Sequence, residues 1–269
     1  MPHAATPAIG DARSLAAQAW LEASDLVDLQ LSPLGQRAID ALAPRPSEMI
    51  VDIGCGAGQA VLQLAERVGP DGEVIGVDIA RSLIKRARLR AAGLQHVRFM
   101  ECDATHIPLP ERSVDAIFSR FGVMAFADPI AAFSNFHRLL KQSGRMAFVC
   151  WRSLAENELD ILPLRAAELE NRADQTPLRF EDPNFLRAVL QRAGFGQIAI
   201  EPFDLPVSCG GLEETLSLLR RVGPLGKIVR EHPELREAVE PRLRTALEPK
   251  IVLGRVSLNA AIWVVTAAA

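Results

Sequence analysis

The stretch Val51-Asp52-Ile53-Gly54-Cys55-Gly56-Ala57-Gly58-Gln59 decides the fold, because a short β-branched run gives way there to a helical pattern. Glycines at three alternate positions let the backbone turn sharply and approach a ligand with no Cβ in the way. The dinucleotide fingerprint G-x-G-x-x-G requires a glycine at position 59, where this chain has Gln59. The stretch therefore predicts a strand–loop–helix unit that binds a ligand and departs from the nicotinamide fingerprint.

Strands and helices alternate on the carboxyl side of this loop. Strands are predicted at 49–53, 73–78, 97–101, 114–119 and 145–151, with helices at 59–68, 82–92 and 130–140. Strands separated by helices of 10–15 residues indicate βαβ units, and hence a parallel sheet covered on both faces. Beyond residue 151 the pattern predicts helices within 153–194, a strand at 197–203, helices at 212–222 and 235–247, and a last strand at 257–266.

The chain divides in sequence at Pro44-Arg45-Pro46. Residues 13–42 carry apolar groups at helical spacing, and the proline pair ends that pattern because proline disfavours helix at its own position and the one before it. We expect a helical segment at 1–46 and an α/β core at 47–269, with helical insertions near 153–194 and 205–255.

Composition excludes several classes of protein. The 269 residues are 49% hydrophobic and 23% charged, with a net charge of −3. Such values are ordinary for a globular core, and they provide no global positive field for nucleic acid or an anionic membrane. No tyrosine is present, so a tyrosine general acid or base is excluded. The sequence shows neither a secretory leader nor a stretch long enough to span a membrane, so we expect a cytoplasmic protein.

The four cysteines lie far apart in sequence and lack metal-ligand spacing. They stand at positions 55, 102, 150 and 209. In a cytoplasmic chain, cysteines without such spacing are expected to be free thiols. No metal site is predicted.

Acidic residues follow the predicted strands at regular places. Asp78 ends the second strand, twenty residues past Gly58, where a carboxylate can accept from both ribose hydroxyls of a nucleoside. Asp103 follows the third strand, where it can accept from an adenine amino group. A single aspartate at a strand end is most often a helix N-cap or turn residue. Asp52, Asp78 and Asp103 together fall at the edge where open α/β sheets bind ligands, which favours a nucleoside site.

Four segments resemble the motifs of class I S-adenosylmethionine-dependent methyltransferases. These are VDIGCGAGQ at 51–59, GVDIA at 76–80, ECDATHIPLP at 101–110 and VDAIFSRFGVMAFADP at 114–129. The segment at 128–151 resembles the closing helix and strand of the small-molecule branch, which includes ubiquinone and menaquinone biosynthesis enzymes and natural-product enzymes. Lys141-Gln142-Ser143-Gly144 stands where that branch usually has a Pro-Gly-Gly turn.

This resemblance implies a Rossmann-like, seven-stranded, mostly parallel sheet with an antiparallel last strand and helices on both faces. It also implies that the helices at 1–46 and 205–255 form a lid over the acceptor pocket, although their amphipathic spacing fits packing on the core equally well. The implied cofactor is S-adenosylmethionine. Its methionine and ribose portion would face Gly54, Gly56 and Gly58, with the ammonium group near Asp52 and the backbone carbonyl of Ser119.

The resemblance assigns roles to residues at the ends of the other strands as well. Asp78 would hold the ribose hydroxyls, Ile79 would flank the adenine, and Asp103 with Ala104 would meet its amino edge. On the acceptor side, Arg120 and Phe121 would lie where cofactor and substrate join. Trp151 would line the acceptor pocket or pack in the core.

The implied reaction is in-line displacement of a methyl group from a sulfonium by a small, largely apolar acceptor. Such a step needs positioning and a dry pocket, and needs a base only if the nucleophile must lose a proton. His106 is the candidate base, and its alternative interpretation is a loop histidine bordering the adenine.

Two other functions stay open at this point, a nicotinamide-dependent oxidoreductase and a non-catalytic S-adenosylmethionine-binding module. A nucleic-acid substrate is disfavoured, because Ser119-Arg120-Phe121-Gly122 stands where base-flipping enzymes usually carry an Asp/Asn-Pro-Pro-aromatic run. We expect a small-molecule partner, no membrane insertion, and a monomer or homodimer.

Overall fold

A seven-stranded sheet forms the centre of the molecule. The computed structural model describes residues 9–269, with side-chain surroundings from residue 15 onward. The strands lie in the order β3-β2-β1-β4-β5-β9-β6. Strands β1 to β5 are mutually parallel, and β9 runs antiparallel to β5 and β6. The strands are β1 Met49–Ile53, β2 Glu73–Asp78, β3 Val97–Glu101, β4 Val114–Arg120, β5 Leu140–Trp151, β6 Gly196–Val207, and β9 Leu258–Ala268; β7 Ile251–Val252 and β8 Arg255–Val256 form a separate hairpin.

Helices cover both faces of this sheet. They are α1 Ile9–Glu22, α2 Ser24–Leu42, α3 Gln59–Val68, α4 Arg81–Arg90, α5 Pro129–Leu139, α6 Glu158–Ala167, α7 Pro183–Arg192, α8 Leu212–Leu219, α9 Gly223–Glu231, and α10 Arg236–Leu247. Successive strand residues enter different apolar clusters, with Ile50 in one and Val51 in the other. This alternation places one cluster on each face of the sheet. The predicted α/β class, the seven strands and the antiparallel last strand are confirmed.

Several predicted boundaries shift for identifiable reasons. The strand predicted at 197–203 extends to Val207 despite Pro202 and Pro206, because β6 is an edge strand and edge strands tolerate a missing N–H donor. The segment at 141–144, where the resembling branch usually has a turn, lies inside β5, and there the register with β4 jumps from Val114↔Leu140 to Ala116↔Arg145. The extra residues are accommodated as an irregularity in the strand instead of ending it.

Helix α2 packs directly on the sheet. The side chains of Leu34, Ala38, Ile39 and Leu42 are fully buried in the apolar cluster that also contains Phe118 of β4. At its carboxyl end, the carbonyl oxygen of Leu42 accepts a 2.6 Å hydrogen bond from Arg145 Nε of β5. Residues 34–42 therefore contribute to the core, although they lie within the predicted 1–46 lid. Residues 1–8 of that segment lie outside the described residues, and the boundary at 46 stays a prediction.

Replacing Leu34 by alanine should test whether α2 belongs to the core. Leu34 is 0% exposed, whereas Leu29 on the same helix is 57% exposed and serves as the matched control. We expect L34A to lower the free energy of unfolding by about 2–5 kcal/mol, since it leaves a cavity in a packed core. L29A should change it by no more than about 0.5 kcal/mol. Urea denaturation followed by circular dichroism measures both, and equal small effects would show that α2 is separable from the core.

Candidate functional site

The loop between β1 and α3 is built from glycines in the left-handed region. The φ angles of Gly54, Gly56 and Gly58 are 69°, 55° and 86°. A Cβ on Gly54 would stand 2.6 Å from Gly122 Cα, and one on Gly58 would stand 2.8 Å from Ala87 Cβ. A Cβ on Gly56 would meet no atom within 4 Å. Packing therefore requires two of the glycines, while Gly56 leaves open space beside the loop.

The loop is fastened to the carboxyl end of β2. The N–H groups of Gly54 and Cys55 donate to the Val77 carbonyl at 2.8 and 3.0 Å. The Asp78 carboxylate accepts from the N–H of Gly56 at 2.9 Å and of Ala80 at 2.8 Å. Burial raises the pKa of Asp78, and these two backbone hydrogen bonds act in the opposite direction. Asp78 thus holds the loop in place and stands at the position predicted for a nucleoside contact.

Asp52 is the most unusual group at this edge of the sheet. It is 1% exposed, and neither carboxylate oxygen has a hydrogen-bond partner among the described residues. Burial raises its pKa to about 8; the charge of Arg120 acts to lower it and that of Asp78 to raise it further. At neutral pH the group is therefore mostly protonated until a cation reaches it.

A second turn closes against the glycine loop after β4. The Ser119 hydroxyl donates to the Ile53 carbonyl at 2.7 Å and accepts from the Gly122 N–H at 3.0 Å. Phe121 between them has φ of 61°, a conformation that costs energy for a residue with a side chain. Its ring stacks on Trp151 at the end of β5, with centroids 4.0 Å apart and planes 18° from parallel. The structure therefore brings Ser119, Phe121 and Trp151 together beside the glycine loop.

Arg120 is engaged by the N-terminal helix α2. Its Nη2 lies 2.9 Å from Asp28 Oδ1, and its Nη1 donates to the side-chain oxygen of Gln59. Asp28 Oδ2 also lies 2.7 Å from Nη1 of Arg90 on α4. A Cβ on Gly35 would stand 2.7 Å from Arg120 Cδ, so the arginine stem lies across α2. Sequence analysis did not single out Asp28, because its pairing with Arg120, 92 residues away, arises only from tertiary packing.

The remaining predicted residues lie at the outer strands. Asp103 accepts from both the N–H and the hydroxyl of Thr105 at 2.8 Å, and so caps the short turn Ala104–His106. Ile79 is 65% exposed after β2. His106 is exposed, and its Nδ1 lies 2.8 Å from Thr105 Oγ1. Because β3 lies three strand spacings from β4, or about 14 Å, His106 is far in the sheet order from the Phe121 turn. Its role as a base stays a prediction.

The opposite edge of the sheet contains none of the predicted site residues. An open depression of about 510 Å³ lies there, lined in part by Met49, Gly72, His96, Asp115 and Lys141. The Lys141 ammonium lies 2.7 Å from Asp115, which in turn accepts from the Met49 N–H at 2.9 Å. Because these polar groups pair with one another, the depression offers no unpaired polar group among them for a ligand. The candidate site therefore lies at the carboxyl edge of the sheet.

The cysteines are free thiols, as predicted. Burial raises the pKa of the Cys55 thiol in the glycine loop, so it is a neutral packing group there. Across residues 9–269 the structure shows no cluster of three or more histidine, cysteine or acidic side chains placed to hold a metal ion. In the same range no helix combines the length and apolar character needed to cross a membrane.

Comparison with known proteins identifies the family. Residues 45–190, more than half of the chain, match the model of a methyltransferase domain. Aklanonic acid methyltransferase DauC of Streptomyces is 36% identical over 119 residues, which cover 44% of this chain and 54% of that protein. Ubiquinone/menaquinone biosynthesis C-methyltransferase UbiE of Teredinibacter turnerae is 29% identical over 177 residues, 59% of this chain and 71% of that protein. The chain spans about half the length of the first curated relatives, including nocamycin O-methyltransferase of Saccharothrix syringae at 41%.

Solved structures agree on the fold. The YcgJ protein of Bacillus subtilis superposes with a TM-score of 0.57 at 20% identity, covering 86% of this chain and 95% of that one. The [4+2]-cyclase SpnF superposes with a TM-score of 0.53 at 19% identity, covering 88% and 80%. Because proteins with different named reactions share the fold, the fold alone does not assign the chemistry.

The family match agrees with the glycine loop and with the acids at the strand ends. It confirms the predicted resemblance and, with it, S-adenosylmethionine as the cofactor class of the family. It gives no support to the nicotinamide-dependent alternative. The sequence match over residues 45–190 shows that the chain belongs to the methyltransferase-domain family, and its strand order agrees with this.

Proposed function

We propose that this protein transfers a methyl group from S-adenosylmethionine to a small, largely apolar acceptor. The observation that carries the proposal is the buried Asp52 carboxyl, which has no partner among the described residues and stands at the end of β1 beside the glycine loop. A buried carboxylate is costly unless it is paired, so the position is suited to a ligand that brings an ammonium group. The methionine end of the cofactor has such a group.

The residues at the carboxyl edge fit the rest of the cofactor. Asp78 faces the loop and retains oxygen lone pairs for ribose hydroxyls, while the open space at Gly56 admits the ligand. Ile79, Asp103 and Ala104 would border the adenine, and the Ser119 backbone carbonyl would accept from the ammonium. When bound, the cofactor supplies an electrophilic methyl group on a sulfonium.

The acceptor side is formed by the Phe121–Trp151 stack and the helices above it. Aromatic faces and the apolar cluster around them favour a largely apolar acceptor and exclude water from the reacting atoms. The Asp28–Arg120 ion pair would hold α2 across the site, so that the helices at 1–46 and 205–255 act as a lid. Relatives named for aklanonic acid, nocamycin and quinone methylation support an acceptor of this class.

Several broader expectations belong to the same proposal. The protein would act in the cytoplasm as a monomer or homodimer, on a small molecule instead of a nucleic acid, and without membrane insertion. His106 would border the adenine or serve as a base if the acceptor must lose a proton. The alternative of a non-catalytic binding module makes the same cofactor contacts and differs only in turnover.

Calorimetry and a transfer assay test the proposal together. S-Adenosylhomocysteine should bind in the micromolar range, or about 8 kcal/mol, while NAD should not bind. Labelled S-adenosylmethionine, incubated with a panel of apolar phenols, enols and quinols, should transfer its methyl group to at least one of them. Binding without any transfer would favour the non-catalytic module, and absence of S-adenosylhomocysteine binding to folded protein would refute the proposal.

Replacing Gly56 by valine should abolish cofactor binding. Gly69 provides a matched control, because it also has a positive φ (71° against 55°) and a Cβ there would also meet nothing within 4 Å, but it lies in the turn that precedes β2. Both variants should lose stability from backbone strain, about 1–2 kcal/mol for a left-handed residue and up to about 3 kcal/mol at Gly69, whose ψ of −179° lies in a region essentially restricted to glycine. Only G56V should lose S-adenosylhomocysteine binding in calorimetry. Equal affinities in G56V and G69V would mean that the loop does not contact the ligand.

Binding of S-adenosylhomocysteine should release a proton from Asp52. With a pKa of about 8, Asp52 is about 90% protonated at pH 7, and pairing with the ligand ammonium favours the ionised form. Calorimetry in two buffers of different ionisation enthalpy should therefore report about 0.9 proton released at pH 7. Affinity should fall roughly tenfold from pH 7 to pH 6, because the ionised fraction falls by that factor.

The variant Asp52→Asn is the control for this linkage. It should release no proton and bind weakly at both pH values. Because the pKa of Asp52 is higher in the folded than in the unfolded protein, the stability that Asp52 contributes falls as pH rises from about 4 to about 8. The ligand-free variant should escape that loss and melt at a higher temperature than the wild type at pH 8. Proton release that persists in the variant would exclude Asp52 as its source.

A further inference from the structure

A second unpaired carboxyl lies on the acceptor side of the site. Asp160 is in the first turn of α6, which begins seven residues after the end of β5. The side chain of Asn157 fixes this start: its oxygen accepts from the Ala261 N–H at 2.8 Å and its Nδ2 donates to the carbonyls of Arg152 and Ser153 at 3.3 and 3.1 Å. The turn containing Asp160 is thereby fixed next to Trp151, where the Phe121–Trp151 stack lies.

The surroundings of Asp160 are apolar. Its neighbours Leu159 and Leu164 are buried in a cluster that includes Val222 and Leu225, and the rings of Phe121 and Trp151 pack against the same cluster. Across from it, a Cβ on Gly223 at the start of α9 would lie 3.4 Å from Asp160 Oδ1. Position 223 has no side chain, so the start of α9 lies close to this carboxyl, with room for about one Cβ between them. Asp160 keeps part of its surface accessible although protein surrounds it.

No charged side chain neutralises Asp160. Burial raises the pKa of the Asp160 carboxyl to about 7. This carboxyl makes no hydrogen bond or ion pair with the described residues. Several charged groups on the elements packed against α6 are paired elsewhere. These pairs are Lys227 of α9 with Asp174 and Glu231, Arg230 of α9 with the Arg221 carbonyl, Arg242 of α10 with Glu168, Lys250 with Glu158, and Arg152 with Glu156 and Asp204.

We propose that Asp160 binds a hydroxyl group of the acceptor and accepts its proton during methyl transfer. This inference rests on the proposed function and adds the chemical class of the acceptor, an apolar molecule with an enol or phenol hydroxyl. In the step, the hydroxyl oxygen forms a bond to the methyl carbon as the carbon–sulfur bond breaks. The sulfur keeps the electron pair of that bond, and the hydroxyl proton passes to the Asp160 carboxylate.

A neutral hydroxyl fits this place better than an ammonium group does. Moving a cation into an apolar pocket costs much more than moving a neutral donor that finds one hydrogen-bond acceptor. A carboxyl that titrates near neutral pH is also matched to proton transfer under those conditions. One carboxyl within an otherwise apolar pocket therefore selects for one hydroxyl on an otherwise apolar molecule.

Three naphthalene probes test the binding half of the proposal. They are 2-naphthol, its methyl ether 2-methoxynaphthalene, and the cationic 2-naphthylmethylamine, each titrated by calorimetry into the full chain saturated with S-adenosylhomocysteine. The wild type should bind 2-naphthol at least fivefold more tightly than either of the others. Asp160→Leu should lose this preference while still binding the ether. The control is Glu168→Gln, which removes the charge of an exposed carboxylate directly after α6. This variant should keep the preference for 2-naphthol.

The transfer half is tested with 2-naphthol and labelled S-adenosylmethionine. The wild type should form 2-methoxynaphthalene, and Asp160→Asn should lower kcat at least tenfold while raising KM no more than threefold. All three variants should bind S-adenosylhomocysteine as tightly as the wild type does. Loss of that binding in the wild type would refute the proposed function itself, so the two failures can be told apart. A missing hydroxyl preference, a preference for the amine, or wild-type binding of 2-naphthol without ether formation would overturn the inference.

Discussion

The burial of Asp52 without a partner is the constraint on which the candidate site depends. A carboxyl in such a place costs stability, and the surrounding structure must hold it there against the alternative of turning to water. The sheet does so by placing Asp52 within β1, hydrogen-bonded between β2 and β4. The close contact of Gly54 with Gly122 then closes the backbone over this end of the strand. Stability lost at this position is exchanged for a site that is complementary to a cation.

The two halves of the site are built in different ways. The cofactor half consists of backbone groups and short-range contacts at the ends of β1, β2 and β4, all within about seventy residues of sequence. In the proposal, the acceptor half is assembled from helices that are distant in sequence: α2 would contribute Asp28, and α6 would contribute Asp160 next to Gly223 of α9. Arg120 connects the halves, because it follows β4 and pairs with α2. Such an arrangement allows acceptor specificity to vary while the cofactor half stays the same.

Local patterns predicted the strands and the helix around the glycine loop well. The bounds of β1, β2, β3 and α3 follow directly from β-branched runs, helical spacing and glycine punctuation, which are local in sequence. The Asp28–Arg120 pair could not be predicted, since its members are 92 residues apart and meet only through tertiary packing. The core role of residues 34–42 was equally hidden, because an amphipathic helix has the same spacing whether it packs on a sheet or covers a pocket. Asp160 carries no sequence signal at all and becomes visible only through its burial.

The structure of the complex with S-adenosylhomocysteine tests the central claim most directly. The account predicts that the ligand ammonium lies within about 3 Å of an Asp52 carboxylate oxygen, or one water molecule away, as expected for a charge-assisted hydrogen bond. In the same complex, the ribose hydroxyls should lie on Asp78, with the methionine chain passing Gly56. A ligand bound elsewhere, or an Asp52 carboxyl that stays unpartnered in the complex, would contradict the account.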